Sequence, residues 1–251
     1  MMKIYLSPHL DDAVFSCGGI IHEQVKSGDH IEVWTFATRE ADVAQISPYA
    51  QSLHLRWGDV KHPVRMRREE DEKALTLLGC QWKHLDFLDC IYLVNTRTGE
   101  PLIKTDQDLF LAAQEKEPLL VDEMIRSMKE LLGLRLNEDI EIIAPLAVGG
   151  HIDHCNTRLA AEKLGLPLTY YADFPYAAQD PSAVEASLPV GTNPLGYHVS
   201  DRGLTAWQKS IACYQSQISS FWNSTKEMEK ALLEYAALPI ACTLWKLSSQ
   251  E

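Results

Sequence analysis

An imidazole and two carboxylates, His9, Asp11 and Asp12, stand close together near the start of the chain. Much later, Pro145-Leu-Ala-Val-Gly-Gly-His151-Ile-Asp153-His154 gathers two more imidazoles and another carboxylate behind a glycine pair. Imidazole nitrogen and carboxylate oxygen are donors that zinc accepts, and a catalytic site uses three of them, leaving a position for water. His9 and Asp12 are three apart, close enough to grip one ion across a turn. A third ligand from the later segment completes such a set and leaves Asp11 beside the metal, free to act as a base. A single Asp here would more simply cap a helix. His9, both Asp residues and the matching later turn together point to a metal.

Two clusters so far apart in sequence need elements that bring them together. Ile4-Tyr5-Leu6 is an apolar run punctuated by Pro8, which predicts a buried strand; Val14, Phe15, Ile20, Ile21 and Val25 then follow a helical pattern. The first cluster therefore lies in a strand-to-helix turn, where open α/β sheets place their ligands. A second strand is expected from Ile31, then a long loop over 38–62 and a helix over 64–78 closed by Gly79. The charges of that helix, Arg65 to Lys73, read as a solvated face. A third strand over 82–89, an insertion over 90–117, a helix over 119–132 and a strand over 141–145 come next. A helix over 153–164 and a strand from Leu168 follow the second cluster. The remainder reads as a loop over 173–196, an extended piece at His198, helices over 204–218 and 226–237, and an edge strand over 241–247. This alternation predicts an α/β fold, a mostly parallel sheet with helices on both faces, with residues 1–251 as one domain. The loops at 39–62, 90–117 and 173–196 are expected to build the substrate pocket.

The net charge of −12 argues against a nucleic-acid backbone or an anionic membrane as partner. No apolar stretch approaches the roughly 18 residues of a membrane helix, and no signal-peptide pattern opens the chain. Six cysteines without a C-x-x-C pair read as reduced core thiols. The expected compartment is the cytoplasm, and the sequence is compatible with a homo-oligomer. Cys17-Gly18-Gly19 lacks the spacing of a nucleotide loop and predicts close packing instead. Tyr170, Tyr171 and Tyr176 are divided between core and a sugar pocket.

His-x-Asp-Asp after a first strand and His-x-Asp-His after a later one resemble the PIG-L or LmbE-like zinc-dependent de-N-acetylases. The resemblance extends to Arg67-x-x-Glu70 with Ala74-Leu75 and Leu78-Gly79, to Leu85-Asp-Phe-Leu-Asp89, and to Tyr214-x-Ser216-Gln217. It implies a Rossmann-like hydrolase that removes acetyl groups from N-acetylated amino sugars and their conjugates, using Zn2+ or another divalent transition metal. His9, Asp12 and His154 then become the metal ligands and Asp11 the general base. His151, protonated, stabilises the oxyanion, and Asp153 orients a histidine. Arg67 and Asp89 match positions that hold sugar hydroxyls. The family pattern His-Pro-Asp-Asp-Glu differs here at Leu10 and Ala13, neither of which is a proposed ligand or base.

Two rival readings remain at this point. One keeps the site but changes the substrate to another N-acyl amide or a cyclic imide. The other is a non-catalytic small-molecule-binding α/β module, which loss of Asp11 or of a ligand would favour; none is lost.

Overall fold

The computed structural model describes residues 1–110, 120–133 and 139–248. Its frame is a seven-stranded sheet made of β1 (Met2–Ser7), β2 (His30–Ala37), β3 (Gln81–Phe87), β4 (Ile140–Pro145), β5 (Leu168–Tyr171), β6 (Thr192–Gly196) and β7 (Thr243–Leu247). The spatial order is β3-β2-β1-β4-β5-β7-β6. β1 to β5 run parallel, whereas β7 is antiparallel to β5 and β6 antiparallel to β7. Every residue of β1 is buried, as expected for a central strand covered on both faces.

Strand order reverses at β1: the chain steps outward to β2 and β3, then returns to β4 on the other side. A crevice opens outside the carboxyl ends of strands at such a switch point. Both sequence clusters lie there. The first follows β1 and opens α1 (Asp12–Lys26); the second follows β4 and opens α5 (Ile152–Glu162). Between them run α2 (Pro48–Trp57), α3 (Pro63–Leu78) and α4 (Val121–Gly133). After β5 come α6 (Tyr176–Gln179) and α7 (Pro181–Ser187), then α8 (Asp201–Ile211), α9 (Gln215–Phe221) and α10 (Thr225–Ala236). α1, α3 and α8 pack on one another as one layer, and α4 packs on α5. No helix among the described residues is long and apolar enough to cross a membrane.

Gly18 and Gly19 owe their place to α8. A Cβ at either would run into the Trp207 indole, whose Nε1 donates to the carbonyls of Val14 and Phe15 at 2.8 and 3.0 Å. The pair is thus a close-packing device, not a nucleotide loop.

Several expectations are corrected. The stretch 38–62 is not only loop: Ser47 caps α2 by accepting from the Ala50 N–H, Pro48 opens it, and Gly58 closes it in the left-handed region. The stretch 173–196 holds α6, α7 and β6. The helix expected over 204–218 divides into α8 and α9, because the chain turns at Cys213-Tyr214 to meet α3. The last strand is not an edge; β7 lies between β5 and β6. The helix over 64–78 buries Arg67, Glu70 and Asp71 in line with Ala74, Leu75 and Leu78, so its charges are not all a solvated face. Of the insertion expected over 90–117, residues 111–117 lie outside the described residues, as does Leu119 of the following helix.

A second, smaller apolar cluster sits apart from the main core. Ala50, Leu53 and Trp57 of α2 meet Cys90, Ile91 and Ile103 of the insertion and Ile152 of α5. α2 and the insertion thereby support each other above the crevice.

Candidate metal centre and active site

Three donors converge at the crevice. His9 Nδ1 lies 3.0 Å from Asp12 Oδ2, and His154 Nε2 lies 3.4 Å from the same oxygen. The β1–α1 turn supplies the first two, and α5 supplies the third. Gly149 and Gly150, with φ of 85° and 78°, let the chain turn sharply from β4 into α5.

The other nitrogen of each histidine is held by a carboxylate. His9 Nε2 lies 3.0 Å from Asp153 Oδ2, which also accepts the Cys90 N–H at 3.0 Å. His154 Nδ1 lies 2.6 Å from Asp173 Oδ1, while Asp173 Oδ2 accepts the Val148 N–H at 3.0 Å. Such carboxylate partners fix the tautomer and ring orientation of metal-ligating histidines. Donor chemistry and orientation therefore both suit one divalent ion bound by His9, Asp12 and His154.

Two further donor groups lie beside this set among the described residues: His9–His151–Asp153, which shares His9 with it, and Asp89–Cys90–Asp153, which shares none of its residues. Each draws on Asp153, whose Oδ2 is already engaged by His9 and by the Cys90 N–H. The first set is the only one of the three that leaves these orienting contacts intact.

Asp11 stands at the N-cap position of α1, yet its side chain makes no capping hydrogen bond. Ser7 performs that task, accepting the Ala13 N–H at 3.1 Å. The Asp11 carboxylate instead lies 3.5 Å from Arg67 Nη2. Burial and the adjacent Asp12 carboxylate raise Asp11 to about 7, against the pull of Arg67 and His9. A carboxyl poised there suits proton transfer near neutral pH.

His151 packs its ring 4.9 Å from His9 and 5.1 Å from His154, centroid to centroid. Its Nδ1 accepts the Asp153 N–H at 3.3 Å, so the proton of the neutral ring sits on Nε2. Burial, then the neighbouring His9 and His154, push its pKa down to about 3. These surroundings favour a neutral ring that donates from Nε2 over the protonated His151 expected from the sequence.

These groups open into a cavity of roughly 240 Å³. Asp89 and Arg67 both line it, with Arg67 Cζ 4.7 Å from the centroid of the Trp57 ring. Each of the three loops expected to build the pocket contributes: Leu53 and Trp57, Asp106 and Phe110, and Tyr176. Tyr170 and Tyr171 are core residues instead. Gln217, Ser220 and Phe221 of α9 form a wall that sequence reasoning did not assign. Asp173 was also missed, although it stands just beyond β5, at the same sheet edge that drew attention to the other clusters.

Comparison with known proteins identifies the family. Residues 4–164 match the family model described as PIG-L: GlcNAc-PI de-N-acetylase. The chain belongs to the PIG-L family. A 2'-N-acetylparomamine deacetylase of Niallia circulans is 27% identical over 70% of this chain and 68% of its own length. A protein of the same description from Streptomyces fradiae is 30% identical over 74% of this chain, which spans only 61% of that relative. In fold, the zinc-inhibited form of teicoplanin deacetylase Orf2 superposes with a TM-score of 0.80 at 24% identity, each chain covered completely. Against the PIG-L pattern, Leu10 and Ala13 are fully buried core residues. Neither side chain belongs to the donor set.

Proposed function

We propose that this protein is a metal-dependent N-deacetylase that removes the acetyl group from an N-acetylated amino-sugar conjugate, with zinc as its ion. The observation that carries the reading is a single juxtaposition. A three-donor set with both histidines oriented by carboxylates stands beside an uncommitted Asp11, and both face one cavity. The PIG-L membership and the deacetylase relatives support an acetamide as the bond cleaved.

His9, Asp12 and His154 would hold the ion, which when bound supplies an acidified water and polarises the acetyl carbonyl. Asp11 takes the proton as water attacks and returns it to the leaving amine. His151 Nε2–H donates to the oxygen on which negative charge develops. Asp153 keeps His9 in place and fixes His151 through its own N–H. Arg67 and Asp89 offer a donor fork and an acceptor to the sugar. The direct test is acetate release by metal-reconstituted protein from a panel of N-acetylglucosamine conjugates. Turnover supports the reading; a fully metal-loaded protein that cleaves none of them refutes it.

Two expected results follow for the surroundings of the site. Asp173→Asn should weaken metal binding about 10- to 100-fold, the scale for the carboxylate behind a ligating histidine. Competition with a chelator of known affinity measures it, and unchanged affinity would count against His154 as a ligand. Arg67→Ala should lower kcat/KM about 10- to 100-fold through loss of a charged hydrogen bond, with metal content unchanged. The same change should move the acid limb of the pH–rate profile to higher pH. The base must be ionised, Arg67 lowers the Asp11 pKa, and its removal therefore lets that pKa rise. A limb that stays in place would separate Arg67 from Asp11. Arg68 is not the inert control its position on the helix suggests, because its guanidinium donates to the Thr38 carbonyl.

A further inference from the structure

Among the described residues, Gln217 is the one amide side chain on the cavity wall, and its orientation is fixed by a chain of donors and acceptors. Glu70 lies one helical turn beyond Arg67 on α3. Its Oε1 accepts the Ser216 N–H at 2.9 Å and its Oε2 accepts the Ser216 hydroxyl at 2.5 Å. The only hydroxyl proton of Ser216 is thereby committed to a carboxylate. Ser216 Oγ can serve Gln217 only as an acceptor, and Gln217 Nε2 donates to it at 3.0 Å. That assigns the amide: nitrogen toward Ser216, carbonyl Oε1 away from it.

Gln217 is 5% exposed, Ser216 4% and Glu70 7%, so the whole arrangement is held inside the protein. Oε1 has no hydrogen-bond partner among the described residues. Oε1 is not among the sealed, unpartnered polar atoms of the described residues, so it is open to the cavity that Gln217 lines, and a carbonyl fixed in that orientation is placed to accept from a ligand there. Phe221, four residues on and so on the same helical face, also lines the cavity and is 37% exposed. Gln217 is thus the more enclosed of the two lining residues.

We propose that Gln217 is a specificity-determining residue whose side-chain carbonyl, locked by Ser216 and Glu70, accepts a hydrogen bond from a ring hydroxyl of the amino sugar. The inference rests on the N-deacetylase reading and names how that site selects its sugar. Arg67 can only donate, so it cannot tell a hydroxyl from another acceptor; Gln217 Oε1 can only accept, and it requires a donor on the sugar. A site built this way rejects an analogue that lacks the hydroxyl, because the bound sugar then covers the acceptor and leaves it unpaired.

The test compares wild type, Gln217→Leu and Gln217→Ala on the methyl glycoside of N-acetylglucosamine and on its 3-, 4- and 6-deoxy analogues. Metal content and melting temperature are measured for each protein. One deoxy analogue should lower wild-type kcat/KM about 10-fold or more, while the Gln217 variants treat that analogue and the parent sugar nearly alike. On the other analogues the variants should keep their full deficit. A deficit equal on every sugar would overturn the inference and place Gln217 on the acetamide N–H or in a purely structural role. Variants with wild-type kinetics overturn it too. Where one variant fails to fold or to load metal, the other decides: a deficit that disappears on one deoxy analogue supports the inference, and its absence overturns it. Metal-loaded wild type that cleaves none of the four sugars refutes the N-deacetylase reading itself, and the inference falls with it.

Discussion

Asp11→Asn protein should bind its metal ion as the wild type does and yet lose about 10²- to 10⁴-fold in kcat, the range for removal of a positioned general base. The substitution changes little in shape. Asp11 makes no capping hydrogen bond, so α1 does not depend on its charge. It stands outside the His9–Asp12–His154 donor set. The lost property is proton acceptance, and an amide cannot supply it near neutral pH. The pH profile offers an independent check. Burial and Asp12 raise Asp11 to about 7, so wild-type activity should fall as acid protonates this group, with the bound ion's positive charge drawing the limb lower. In Asp11→Asn the residual rate should lose that limb. Metal analysis and pH–rate measurements on the two proteins decide the matter; a near-normal rate in the variant would place the base elsewhere.

His154→Ala should be the more complete loss, with both the ion and the activity gone. His154 is the one donor contributed by α5, so its removal leaves His9 and Asp12 alone on the β1–α1 turn. Burial works against charge on this ring, but Asp12 and Asp173 together hold its pKa at about 10. In the metal-free protein His154 is thus protonated at neutral pH, and an ion must displace that proton to bind. The sign follows directly: metal affinity should rise with pH across about pH 6 to 8, as protons compete less well. The variant should show neither tight binding nor this pH dependence. Its thermal stability should fall as well, because Asp12 and Asp173 lose the cation between them. Full metal occupancy in folded His154→Ala would remove it from the ligand set.

The parts of the molecule legible in the sequence were those fixed locally. The strand ending at Pro8, the helix closed by Gly79 and the glycine pair before His151 carry their punctuation in neighbouring residues. His9, Asp11, Asp12, His151, Asp153 and His154 were found because one rule, ligands beyond the carboxyl ends of parallel strands, singles out two turns. The same rule would have found Asp173 had it been applied after β5. α2 was hidden because its apolar face packs on Ile91 and Ile103, not on the sheet, which leaves it without a strong period; its cap at Ser47 and stop at Gly58 were readable. The break between α8 and α9 was not, since it serves remote partners: Tyr214 donates to Asp71 at 2.7 Å and Ser216 to Glu70. Those contacts also explain the buried charges of α3, which a helical wheel alone assigns to solvent. The downward pull on the His151 pKa comes from burial and from three imidazoles meeting in space, and no spacing in the chain expresses that.

The proposed chemistry depends on one ion held among His9, Asp12 and His154. Crystals of zinc-loaded protein, with anomalous diffraction collected at the zinc edge, test it most directly. One strong peak in contact with His9 Nδ1, Asp12 Oδ2 and His154 Nε2 is the expected result. A peak at Asp89, Cys90 and Asp153, or at His9 Nε2, His151 and Asp153, with none at the first position, would contradict it.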